Sequence, residues 1–185
     1  SVNTYGLVTA KKNGKAKITA KVSGAEASCT VTVNKTRIQL SQSSLSLEHG
    51  ETARLKATAS NGSQIQFKSK KTSVATVSEN GTICGEKPGS TYITVTADNT
   101  KATCRVKVKK PTITLSHTKI TLSPDSEFTL QAKISSGLSP QWRSGRSSVA
   151  SVDDNGRIYA NKAGTARISV KLDGVTKYCT VKVTK

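Results

Sequence analysis

Four cysteines, two histidines and eleven acidic residues are the side chains of this 185-residue chain that could carry redox, metal or acid–base chemistry. Their spacing argues against all three. Protein-bound zinc takes closely spaced thiolates and imidazoles. Cys29, Cys84, Cys104 and Cys179 lie far apart in sequence, and His49 and His117 each stand alone. A calcium loop needs about six to eight oxygen ligands, whereas Asp153-Asp154 are one acidic pair before Asn155-Gly156 and read as turn-formers. No nucleophile has a base beside it, and no glycine-rich loop opens a helix. "KPGS" at 87–90 is a turn. The expectation is no catalytic residue, no metal ligand and no cofactor. No apolar run reaches the ~18 residues of a spanning helix, so no membrane insertion is expected.

Three of the cysteines carry a different message. Cys29, Cys104 and Cys179 are spaced by 75, as are Gly6, Gly81 and Gly156, then Gly14, Gly89 and Gly164, then Ile18, Ile93 and Ile168. Upstream, Leu40, Leu47 and Leu55 answer Leu115, Leu122 and Leu130, and Phe67 stands where Trp142 stands. Between 36–110 and 111–185, 27 of 75 positions are identical without a gap. Such self-similarity marks a repeat. Its period exceeds the ~20–50 residues of a solenoid turn and suffices for a small domain with its own core. The expected division is 1–34, a partial unit holding only the C-terminal strands, then 35–110 and 111–185 as whole units.

The elements are strands. In "CRVKVK", Cys104, Val106 and Val108 share one face while Arg105, Lys107 and Lys109 share the other. "CTVTV" at Cys29, "CTVKV" at Cys179 and "ARLKATA" at 53–59 alternate in the same way. Alternation at period two predicts half-buried antiparallel strands, and no stretch keeps helical spacing. Within 36–110 the pattern predicts strands near 37–41, 45–48, 52–59, 65–69, 74–77, 82–85, 91–97 and 102–109. Asn80-Gly81 and Asn155-Gly156 are hairpin signals, with further turns at Asn61-Gly62, Pro88-Gly89, Ala163-Gly164 and Asp173-Gly174. About seven short strands per unit predict a β-sandwich.

Within that frame Cys29, Cys104 and Cys179 occupy one inward position in three separate cores and are expected as buried thiols. Cys84 has Thr9 and Tyr159 as equivalents and points outward, so it should form no disulfide with Cys104. Trp142 is read as a core anchor rather than a sugar-stacking platform, because Phe67 holds the same register. Tyr92, Tyr159 and Tyr178 are outward, and none recurs across units.

Net charge is +18, with six basic residues against one acidic in 1–35, twelve against five in 36–110 and eleven against five in 111–185. The charge is spread over every unit, at outward positions such as Lys15, Lys17, Arg105, Lys107 and Lys182. A nucleic-acid site would concentrate it and add reading elements, so no nucleic acid is expected. Such a coat attracts polyanions at long range, and strand lysines also deter edge-to-edge sheet pairing.

The order of Trp142, Val149, Ala150, Val152, Gly156, Ile158, Ala160, Gly164 and Ile168 resembles the signature of the bacterial immunoglobulin-like domain, group 2. Unit two departs from it with Phe67 for the aromatic and Gly85 for the alanine. The resemblance extends over the whole chain, with 1–33 matching the second half of such a domain. It implies an all-β fold of tandem immunoglobulin-like sandwiches, two complete and one partial at the N-terminus. It also implies an extracellular module of a bacterial surface or secreted protein, acting as a non-catalytic stalk. The alternative is an adhesion module for anionic cell-wall polymer, host matrix or glycan. Expected partners are other domains of a parent protein, the anionic polymer or host surface of that alternative, and strands from elsewhere that complete the first unit.

Overall fold

The computed structural model describes residues 1–184, and every regular element in it is a β-strand. β1 (Gly14–Val22) and β2 (Ala25–Val33) form a lone hairpin. Unit two carries β3 (Ile38–Leu40), β4 (Ser44–Leu47), β5 (Thr52–Arg54), β6 (Ala57–Ala59), β7 (Gln66–Ser69), β8 (Ala75–Val77), β9 (Thr82–Gly85), β10 (Gly89–Ala97) and β11 (Thr100–Val108). Unit three repeats the series as β12 (Ile113–Leu115), β13 (Lys119–Leu122), β14 (Glu127–Thr129), β15 (Ala132–Ile134), β16 (Gln141–Ser144), β17 (Ala150–Val152), β18 (Arg157–Ala160), β19 (Gly164–Leu172) and β20 (Val175–Val183).

In unit two a four-stranded sheet runs β4-β11-β10-β7, with β4 parallel to β11 and the other pairs antiparallel. A three-stranded sheet β5-β9-β8 and the pair β3-β6 complete the unit. Unit three has the same order in β13-β20-β19-β16, β14-β18-β17 and β12-β15. Alternation places one row of each strand in the core. In β11, Cys104, Val106 and Val108 are buried while Arg105 and Lys107 are exposed. Leu55, Ile83, Ile93 and Val106 anchor one apolar cluster, and Leu130, Ile158, Ile168 and Val181 the other. Each such side chain contributes about 1.5–3 kcal/mol by leaving water. The two clusters share no residue.

Phe67 and Trp142 are half-buried and pack on their clusters. Their rings explain a repeated glycine. At Gly156 the backbone is left-handed (φ 81°), and a Cβ there would stand 2.5 Å from the Leu130 carbonyl oxygen and 2.7 Å from the Trp142 ring. Gly81 stands in the same relation to Leu55 and Phe67.

The single strand predicted over 52–59 is two. β5 pairs with β9, whereas β6 pairs with β3. The chain changes sheets at Leu55, whose amide donates to the Gly81 carbonyl (2.9 Å), and Lys56, whose amide donates to Ser41 Oγ (3.1 Å). Ala53, Leu55, Ala57 and Ala59 keep pointing inward through the change, which is why the pattern reads as one strand.

The hairpin β1-β2 departs from expectation in its burial. Its register is that of the later units: Ile18 faces Cys29 as Ile93 faces Cys104 and Ile168 faces Cys179. Cys104 and Cys179 are fully buried, yet Cys29 is exposed. Val2 and Val8 pair with each other in an isolated bridge and are 46% and 42% exposed. Among the described residues no other strand pairs with this hairpin, and both of its faces are largely exposed.

Candidate functional site

The residues singled out by chemistry do not converge. All four cysteines are free thiols. Burial pushes the Cys104 and Cys179 thiols up from their ordinary pKa. Cys84 is also raised, first by burial and then by the charge of Glu86. Cys84 and Cys104 lie in different sheets, on β9 and β11. His117 meets Phe128 edge-on at 5.2 Å and has Ser116 Oγ at 3.2 Å. Asp153 Oδ1 accepts the amides of Asn155 (2.9 Å) and Arg157 (2.8 Å), the turn role read from sequence, while Ser78 Oγ accepts the Thr82 amide (3.1 Å) at the equivalent turn. Among the described residues no group of three or more His, Cys, Asp or Glu is arranged to hold a metal ion.

What the sequence does not reveal lies between units. His49, in the turn between β4 and β5, places Nδ1 2.8 Å from Oδ2 of Asp173, in the turn between β19 and β20. The carboxylate can only accept, so Nδ1 is the donor. The partners are 124 residues apart and belong to different repeats. Beside them Gly50 faces Leu138 of the β15–β16 loop, whose Cδ2 would lie 3.9 Å from a Cβ at that glycine. These turns stand at opposite ends of equivalent units. The β4–β5 turn follows Leu47, paired with Val108 at one end of the long sheet, whereas the β19–β20 turn closes the other end at Leu172 and Val175. Unit three therefore meets unit two head to tail.

The other end of unit two has the same polarity. Asp98 is the equivalent of Asp173 and sits beyond Ala97, at the tip of β10-β11. Its carboxylate accepts hydrogen bonds from Asn61 Nδ2 (2.9 Å), Thr36 Oγ1 (2.8 Å) and Ser63 Oγ (3.0 Å). These neutral donors, Asn61 foremost, hold it below the ordinary aspartate range. An open cleft here is bounded by Lys12, Val33 and Lys35 on one side and by Arg37, Asn61 and Asp98 on the other.

Charge is less evenly placed than the sequence sums imply. In the four-stranded sheets of units two and three, the strands carry Lys68, Lys101, Arg105, Lys107, Lys119, Arg143, Arg167, Lys171, Lys177 and Lys182 and no acidic residue. Acidic side chains lie mostly in turns, as at Glu51, Glu86 and Asp153, and Glu127 on β14 lies in the opposite sheet. Arg157 on β18 is paired with Glu127 on β14.

The family model for the bacterial Ig-like domain (group 2) matches residues 35–108. Among solved structures, the I9-I11 tandem from titin is 14% identical, with 92% of this chain and 74% of that chain covered and a TM-score of 0.58. Domains 4 and 5 of the S-layer protein SbsC are 17% identical, with 82% and 98% covered and a TM-score of 0.36. An intimin mutant of EHEC O157:H7 is 19% identical, with 45% and 51% covered and a TM-score of 0.35. No curated protein matches the chain. Residues 35–108 belong to the bacterial Ig-like domain family, group 2, and the chain is all-β, with Ig-like sandwich units in tandem.

Proposed function

We propose that the chain is a non-catalytic spacer within a larger bacterial surface or secreted protein, divided as a partial unit at 1–34 and whole units at 35–110 and 111–185. The observation that carries this reading is the head-to-tail contact of His49 with Asp173. Units two and three each have their own apolar cluster, and the contact joins opposite ends of these equivalent units. Adding a unit in this way adds length. A nine-residue strand spans about 30 Å, so each unit extends the stalk by somewhat more than that. Function then resides in reach and stiffness, and the parent protein carries whatever is held at the tip.

The hairpin β1-β2 fits the same scheme. Its core face, at Ile18, Cys29 and Val31, is covered in units two and three by the first half of a repeat. Strands of such a half, from the parent protein or a neighbouring copy, are its partners. The scheme is tested by limited proteolysis of 1–185 with and without an added peptide spanning 36–75. Protection of 14–33 by the peptide supports it, and unchanged cleavage contradicts it. A second reading, adhesion to an anionic polymer, is favoured by the unpaired cations on the four-stranded sheets.

A further inference from the structure

The outer faces of β4-β11-β10-β7 and β13-β20-β19-β16 share a composition that their sequences do not align. Tyr92 lies on β10 and Tyr178 on β20, and their repeat equivalents are Arg167 and Thr103. The tyrosines are therefore at different repeat positions. Both nevertheless emerge on the outer face of the four-stranded sheet of their own unit, and each is 44% exposed. Each has a cation against its ring. Lys70 Nζ lies 5.7 Å from the Tyr92 centroid, and Arg167 Cζ lies 3.6 Å from that of Tyr178.

The register fills in the surroundings. Tyr92 is directly opposite Arg105, which in turn is opposite Ser44; Lys107 lies opposite Ser90 and Ser46. In unit three Tyr178 is opposite Ser169, which is opposite Arg143. Neighbours across strands are about 4.8 Å apart, and same-face neighbours along a strand about 7 Å. The result is a flat field of hydroxyls and cations around one exposed ring. Ion pairs among the described residues are Lys21–Glu26, His49–Asp173 and Arg157–Glu127. None involves these sheets of units two and three, so their exposed cations remain available to an external anion.

We propose that these two outer faces form a docking surface for a carboxylated or sulfated polysaccharide. Its acid groups pair with Arg105, Lys107, Arg143 and Arg167, and its sugar rings lie against Tyr92 and Tyr178. Charge complementarity selects an anion. The flat sheet and the exposed aromatic rings select a sugar over a bare phosphate chain, because a ring face gives the tyrosine apolar area to cover. The inference goes beyond the spacer reading and does not depend on it, since a stalk of the same stiffness could lack this surface.

The test is binding of chain 1–185 to immobilised polygalacturonate and to heparin fragments, with polyphosphate and dextran alongside, over a range of salt. The double variant R105Q/K107Q should weaken binding to the acidic polysaccharides about tenfold. Y92S and Y178S should each weaken it about threefold while leaving polyphosphate binding unchanged. The variant R54Q/K87Q removes two charges away from the four-stranded sheet and should cost less than a third of the effect of R105Q/K107Q. Circular dichroism of each variant should match the parent. Equal losses from both double variants would reduce the effect to net charge and overturn the proposal. So would equal affinity for polyphosphate with no dependence on the tyrosines, or no binding even at low salt.

Discussion

At the scale of single residues, two positions show how a repeat encodes its core. Gly156 is required because the Trp142 ring and the Leu130 carbonyl occupy the space a Cβ would need, at a backbone angle that favours glycine. Gly156→Ala should destabilise unit three by about 2 kcal/mol or more, combining strain and displacement of the ring. Chemical denaturation followed by Trp142 fluorescence reads this directly, since Trp142 is the only tryptophan. In unit one Gly6 has the same sign of φ but no atom within 4 Å of such a Cβ, so Gly6→Ala should cost less. Asp98 gives a pH-dependent counterpart. Its hydrogen bonds from Asn61, Thr36 and Ser63 hold its folded pKa below the unfolded one. They therefore stabilise the fold above the ordinary aspartate pKa of about 3.9, and that contribution is lost as pH falls through the folded value. Asp98→Ala should lower the urea midpoint at neutral pH, and the gap from the parent should narrow as pH falls below the ordinary aspartate value. A gap that stays constant with pH would contradict this account.

At the scale of elements, alternation and turns made most of the fold legible. Cys104-Val106-Val108 and their repeats mark the long strands, and the 75-residue offset pairs the units from sequence alone. Two features escaped for physical reasons. The sheet change at Leu55 leaves side-chain parity intact while hydrogen-bond partners switch, and sequence pattern records parity only. The exposure of Cys29 depends on what packs over its strand, which the pattern of that strand does not record. That difference is measurable. In native 1–185, Cys29 should react with a thiol reagent far faster than Cys104 and Cys179, which are fully buried and whose pKa burial raises. Equal protection of all three would mean that Cys29 is covered, as by association of copies. The tyrosine-bearing faces were legible only in part. The outward positions of Tyr92 and Tyr178 can be read, but not their arrival on corresponding sheet faces, one beside Lys70 and the other beside Arg167.

At the scale of the whole molecule, the junction between units sets how far the chain reaches. His49 and Asp173 lie 124 residues apart, and no local pattern connects them. His49→Ala removes the hydrogen bond without touching either apolar cluster. It should leave the unfolding of both units unchanged and let them tumble more independently, as nuclear spin relaxation of backbone amides would show. The most direct test of the spacer itself is small-angle scattering from residues 36–185. One compact body of about 150 residues would have a radius of gyration near 15 Å. Two such units stacked end to end, each somewhat longer than a ~30 Å strand, should give about 22 Å and a pair-distance distribution with a long tail. A radius near 15 Å with a single symmetric peak would contradict the head-to-tail arrangement and the spacer function built on it.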